Sequence, residues 1–410
     1  MALTFDYKVR DRGGNLVEGQ LEGDSLNLVV SKLREMGYLP IAVTPKSKVD
    51  VNRELNIPGI TNRIKLAEVA VATRQFATMV DSGLSVVRAL GILSGQVENK
   101  ELGRILGEVR LDVERGSSLS AACAKHPKVF SRLFVTMVQA GEAGGTLEAV
   151  LADLADTMEK QAWLIRTVKS AMTYPIIVLS VMCLIFLALL VFVVPTFKNL
   201  FATLHATLPG PTLLILKISS IVLSPWSVVI AAVIVAGVIA TRKWIKTEQG
   251  RAKWDALKLR PPIFGPLMHK VSLARFTATF SSLVTSGVPI LEALDIVTDT
   301  AGNVVVGGVL QQAKAGVRDG RSLADSLREH EDVMPSLVVQ MIEVGEQTGA
   351  LDAMLKKVAE FYNGEVETTV NNLTSMLEPI LTLVMGAGVG TMVICMYLPM
   401  FDYIKHIPTS

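Results

Sequence analysis

Displaced along itself by 204 residues, this chain of 410 falls into register without a gap. Phe76 meets Phe280, Ser82-Gly83 meets Ser286-Gly287, and Ala89-Leu90 meets Ala293-Leu294. Gly116-x-Ser118-Leu119 meets Gly320-x-Ser322-Leu323, and Gly141-Glu142 meets Gly345-Glu346. Roughly a third of the positions from Phe76 to Ala155 equal their partners, well above chance for ordinary composition. The register runs on into apolar sequence, where Pro175 meets Pro379 and Pro195 meets Pro399. What was copied is a polar helical block together with the apolar segment that follows it.

The apolar segments are long enough to cross a bilayer. Ala171 to Phe197, Ile218 to Thr241 and Pro379 to Phe401 carry no charged residue. A helix needs about 20 apolar residues to cross a hydrocarbon core, so a buried soluble helix is the weaker reading. The 50% hydrophobic content and mean hydropathy of +0.43 agree. Met1 to Asp11 is short and of mixed charge, so no secretory leader is expected there. A net charge of +2 and no basic stripe with aromatics argue against a nucleic-acid partner.

Charge around the spans orients them. Arg166 and Lys169 precede the first; Arg242, Lys243, Lys246, Arg251 and Lys253 follow the second; between them Lys198 is the only Lys or Arg before Thr212. The positive-inside rule then places the bulk of the chain in the cytoplasm and the short loop outside. The second span, which has no repeat partner, brings the chain back so that both copied blocks share one side.

The expected layout is a mainly α integral membrane protein. It has two homologous cytoplasmic helical bundles, three transmembrane helices and a small N-terminal α+β domain. Residues 1–45 form that domain and 46–64 a linker, with a turn at Pro58-Gly59. The first bundle covers 65–170, the first span 171–197, an extracytoplasmic loop 198–212 and the second span 213–241. A basic connector, 242–267, leads to the second bundle, 268–374, the third span, 375–401, and an outer tail, 402–410. In the first domain, alternation at Phe5, Tyr7 and Val9 and at Val17, Gly19 and Leu21, around Gly13-Gly14-Asn15, predicts a hairpin. Asp24 is placed to cap a helix ended by Gly37, and Leu39 to Thr44 reads as a third strand. Glycines and serines at Ser82-Gly83 and Gly116 punctuate each block into about six helices.

The sharpest local signal is the Gly-Glu turn, Gly141-Glu142 to Gly145 and Gly345-Glu346 to Gly349. Its glycines permit a reversal, and its glutamates are placed to satisfy donors at the start of the next helix. A partner contact is the other reading. No Lys-Ser or Lys-Thr follows, so it is not a phosphate loop. His126 and His330 share a register position without a second ligand at metal spacing, and the three cysteines are scattered. No metal, cofactor or catalytic group is therefore expected. The three charge-free runs lack the ionisable residues that a proton relay, carrier or intramembrane protease needs. The third span carries Gly386-x-x-x-Gly390, which is either a close-packing motif for self-association or flexible filler. Pro175, Pro379, Pro195 and Pro399 read as shared devices for entering and leaving the bilayer.

Together these residues resemble the type II secretion F / type IV pilus platform family. The likeness rests on Arg74-Gln75-Phe76 leading to Ser82-Gly83-Leu84, Thr285-Ser286-Gly287-Val288-Pro289, both Gly-Glu turns, Tyr174-Pro175, Leu208-Pro209 and the exit prolines. It implies a non-enzymatic inner-membrane core of a fibre-assembly machine. The implied partners are a cytoplasmic assembly or retraction ATPase, pilin or pseudopilin, other inner-membrane assembly proteins, the bilayer, and further copies of the chain. Pseudopilus assembly in protein secretion is the nearest alternative, and a small membrane transporter is one of another class. Ser85 standing opposite Pro289 and Tyr174 opposite Glu378 mark divergence between the copies. Relatives are linked to a divalent cation, but Ala152 fills a position often acidic there, and that site is not expected here.

Overall fold

The computed structural model describes residues 3–10, 16–23, 26–45, 64–204, 209–262 and 264–405. The Gly13-Gly14-Asn15 turn, the Asp24 cap, the Pro58-Gly59 turn, Leu208 and the last five residues lie outside them. Residues 1–63 and 64–410 are separate compact units.

In the first unit, β1 (Leu3–Arg10) pairs antiparallel with both β2 (Leu16–Gly23) and β3 (Leu39–Pro45), in sheet order β2-β1-β3. Period-2 spacing puts Phe5 and Val9 on one face, where they pack with Val29 and Leu33 of α1 (Leu26–Glu35). Tyr7 stands opposite Gly19, where a Cβ would lie 2.5 Å from the Tyr7 hydroxyl. That ring explains a glycine in mid-strand.

The second unit is helical throughout its described residues. The first copy supplies α2 (Leu66–Asp81), α3 (Val86–Gln96), α4 (Lys100–Glu114), α5 (Leu119–Ala124), α6 (Arg132–Gly144) and α7 (Leu147–Ala188). A π-helical turn, Leu189–Val193, carries α7 into α8 (Val194–Leu204). Then come α9 (Gly210–Leu223), α10 (Trp226–Trp244) and α11 (Glu248–Leu259). The second copy supplies α12 (Phe264–Thr285), α13 (Ile290–Thr300), α14 (Val304–Arg318), α15 (Leu323–Arg328), α16 (Ser336–Thr348) and α17 (Leu351–Lys405). Each block is thus six helices. Both contribute to one continuous apolar core that includes Phe76, Met137 and Leu154 from one copy and Phe276, Phe280 and Leu294 from the other.

Three features mark the apolar helices. First, no break separates bundle from span: α7 and α17 run through both, over 42 and 55 residues. At 1.5 Å per residue these are rods of about 60 and 80 Å. Second, the single helix expected over 213–241 is two, because Pro225 cannot donate a backbone N–H and Ser224 stays extended. Third, the prolines lie within helices. Pro175, Pro379 and Pro399 sit inside α7 and α17, and Pro195 is the second residue of α8. Neighbouring turns absorb the missing donor, and before Pro195 the ladder widens into the π turn. Among the described residues, three helices are long and apolar enough to cross a membrane: Leu147–Asn199 counted through the π turn, Trp226–Trp244 and Leu351–Pro399. The chain is a membrane protein.

Candidate functional site

Helices α5 and α15 are only six residues long, too short to persist on their own hydrogen bonds. The Gly-Glu turns are what hold them. Glu142 accepts from the backbone N–H of Leu119 at 2.5 Å and of Ser120 at 3.1 Å, and from the Ser120 hydroxyl at 2.5 Å. Glu346 accepts from Leu323 N–H at 2.8 Å and Ala324 N–H at 3.0 Å. The Ser118 and Ser322 hydroxyls accept the next donors, from Ala121 at 3.2 Å and Asp325 at 3.0 Å. A carboxylate and a hydroxyl together take up the first turn's orphan donors, and the negative charge sits where the helix dipole favours it.

This corrects the expected target of the glutamates. They cap the short helix preceding their own, not the one that follows. The signal is in the sequence as Gly-x-Ser-Leu, its Leu standing 23 residues before each glutamate. Their long-range pairing needed the tertiary fold. The glycines also divide by role. Gly145 and Gly349 take φ of +67° and +70° and end α6 and α16. Gly141 and Gly345 are helical and buried instead. A Cβ on Gly141 would stand 3.2 Å from Leu147 Cα, and one on Gly345 2.8 Å from Leu351 Cα. They let the next helix pack closely. Gly83 and Gly287 take φ of +83° and +75° at the α2–α3 and α12–α13 turns.

A second duplicated device is one that sequence reasoning missed. Asn99 and Asn303 cap α4 and α14, accepting from Glu101 and Leu102 at 3.1 and 3.2 Å and from Val305 at 2.8 Å. Four residues on, Gly103 and Gly307 bring those helices against the carbonyls of Ser94 and Thr298. Asn-x-x-x-Gly in matching register is the signal that marks it.

The two copies meet along α7, α12 and α17. Thr157 and Ser282 hydroxyls lie 2.5 Å apart, Gln161 donates to Thr279 at 3.3 Å, and Ser281 donates to the Asp352 carbonyl at 2.9 Å. Asp153, Asp156, Lys160 and Lys356 line a cleft here. Burial, reinforced by the charge of Asp156, raises the Asp153 carboxyl above its ordinary value. Arg74 grips the far side of α7: its guanidinium is bidentate to Glu159 at 2.9 and 2.8 Å and also pairs with Asp156. That hydrogen bonding holds the Glu159 carboxyl below its ordinary value.

Burial pushes the Cys123 thiol up to about 12, aided by the Glu142 charge. His126 lies 3.7 Å from Glu108, and no group of three His, Cys, Asp or Glu among the described residues has the makings of a metal site. Within the spans, a Cβ added to Gly386 or Gly390 would meet nothing within 4 Å, whereas one on Gly388 between them would lie 2.5 Å from the Phe186 ring of α7. Inside one chain the close approach uses the middle glycine. Thr212 and Ser219 of α9 donate to the carbonyls of Cys395 and Leu190 at 2.5 and 2.7 Å, tying the spans together.

Comparison with known proteins matches this duplicated design. Residues 72–195 and 276–399 each match the family described as Type II secretion system (T2SS), protein F, and residues 1–44 match its N-terminal domain. The two matched segments are themselves offset by the same 204 residues. The chain is 41% identical to the type IV pilus assembly protein PilC of Myxococcus xanthus, covering 97% of this chain and 94% of that one. It is 40% identical to PilC of Thermus thermophilus, covering 98% of each. Type II secretion system protein F of Xanthomonas campestris is 32% identical over 98% of this chain and 99% of its own. On repeat, fold and full-length likeness alike, this chain belongs to the type II secretion system protein F family.

Proposed function

We propose that this protein is the inner-membrane platform of a type IV pilus assembly machine. The observation that carries this reading is full-length likeness to pilus assembly proteins at 41% and 40%, against 32% for a secretion counterpart. The geometry supplies a mechanism. Each capped bundle ends in a rod continuous with a span, and the two rods pack on each other between the copies. A push on either bundle by a cytoplasmic ATPase reaches the bilayer without crossing a flexible joint. Pilin subunits beside the spans are then lifted into the fibre. The basic residues flanking α7 and α10 support a cytoplasmic location for both bundles and an outer location for the tail. Gly386 and Gly390, with open space where a Cβ would stand, suit packing against a second copy or a pilin helix.

Inserting Gly-Ser-Gly after Thr374 breaks the second rod while leaving both bundles intact. The expected result is loss of surface fibres with pilin and ATPase levels unchanged; normal piliation overturns the proposal. Loss of a secreted enzyme with normal pili would favour the secretion reading, which the 32% relative supports.

A further inference from the structure

The basic connector after the second span has a built geometry. Trp244 ends α10, with Arg242 and Lys243 in its last turn. Its carbonyl accepts both the Thr247 N–H at 3.0 Å and the Thr247 hydroxyl at 2.6 Å. That same hydroxyl accepts the Gly250 N–H at 3.2 Å and starts α11. A Cβ on Gly250 would collide with the Trp244 carbonyl oxygen, so only glycine permits this turn. The angle between span and connector helix is thereby fixed.

Helix α11 has two unlike faces. One docks on the second bundle through Asp255, which is buried, pairs with Lys258 at 2.9 Å and Arg251 at 3.9 Å, and accepts from Val304 N–H at 3.4 Å. Asn303, the α14 cap, donates to the Asp255 carbonyl at 3.3 Å. The other face carries Lys253, Ala256, Leu257 and Arg260 at helical spacing, with Trp254 beside them. Together with Trp244 they line a cleft open to solvent. Trp244, Trp254 and Leu257 remain 46%, 39% and 51% exposed. Lys253 and Arg260 pair with no carboxylate among the described residues, whereas Arg251 and Lys258 both do.

An apolar floor below two unpaired cations, at the end of a helix with no buried residue, has the polarity of a bilayer's headgroup level. Residues 242–260 hold seven Lys or Arg against two acids, so the field there selects anions. A soluble anion would need the cations but would leave two tryptophans and a leucine in water. We propose that this cleft binds one anionic phospholipid of the surrounding bilayer. Its phosphate lies between Lys253 and Arg260, and its glycerol and upper acyl chain lie on Trp244, Trp254 and Leu257. Through Asp255 the lipid holds the second bundle at a set height above the membrane. The inference depends on the chain crossing a bilayer and not on whether it builds a pilus.

The test uses the full-length protein in nanodiscs of phosphatidylcholine with a minor share of phosphatidylglycerol, with retained lipids counted by native mass spectrometry. The wild type is expected to retain phosphatidylglycerol beyond its bulk share. K253Q/R260Q is expected to lose that retention, by roughly fivefold for each charge removed. The charge-matched K128Q/R318Q, whose side chains are exposed on the bundles, keeps it. W254A lowers retention with no change of charge. Equal retention by K253Q/R260Q and wild type overturns the proposal, as does equal loss in K128Q/R318Q. Displacement of the lipid by glycerol phosphate or inorganic phosphate at matched concentration also overturns it, in favour of a soluble anion.

Discussion

The two bundles share a chain plan but not a position, and their first helices show it. In the first copy α2 has one face on the core and one in water: Thr73 and Phe76 are buried, Gln75 is exposed, and Arg74 reaches out to Glu159. In the second copy α12 is enclosed by its own α17 and by α7 of the first copy. Its equivalents are small: Ala278 replaces Arg74, and Thr279, fully buried, replaces Gln75. Asn363 stands where the first copy has Glu159, and its Oδ1 has no partner among the described residues. What both copies keep, the Glu caps and the close-packing glycines, is what the fold needs. What differs records which face each copy gives to its sibling.

Swapping residues across the register is the hardest test of that contrast. Thr279→Gln puts the first copy's residue into an enclosed site and is expected to cost about 2–3 kcal/mol. The reverse exchange, Gln75→Thr, sits on a solvated face and should stay within about 0.5 kcal/mol. Thermal unfolding of the full chain in detergent reads both; equal effects would break the comparison.

Shared devices should instead give matched losses. Glu142→Ala and Glu346→Ala each strand two backbone donors, and about 2 kcal/mol is expected from either. The Glu142 loss is the larger, because the Ser120 hydroxyl is stranded too. Gly83→Ala and Gly287→Ala force a left-handed backbone on a residue with open space around it, at about 1 kcal/mol each. A large asymmetry in either pair would show that the copies fold by different rules.

The smallest expected effect is the most specific to one copy. Arg74 is partly exposed, and after solvent screening Arg74→Ala should cost under about 1 kcal/mol. Its signature is pH dependence. Because the Glu159 carboxyl is held below its ordinary 4.5, its contribution is present at neutral pH and is lost as pH falls below that value. Arg74→Ala removes this acid-side loss, leaving a flatter stability profile between neutral and acid pH. The second copy, with Ala278 there, has no such limb to lose.

Sequence alone determined the repeat, the mainly helical fold with its apolar crossings, and the helix count in each block. These follow from local signals: periodicity, charge-free length, and Gly or Ser punctuation at fixed spacing. Only the tertiary structure decided where the long-range partners fall. A glutamate's spare oxygens carry no mark of direction, so Glu142 reads as a cap for its neighbour and instead caps a helix 23 residues earlier. A proline's missing donor is visible in sequence, but whether a helix ends or continues there depends on what packs around it, as Pro225 and Pro379 show. Likewise Gly386-x-x-x-Gly390 reads either as a close-packing motif or as filler, while within one chain it is Gly388 between them that meets Phe186, because the face a helix presents is set by the helices beside it.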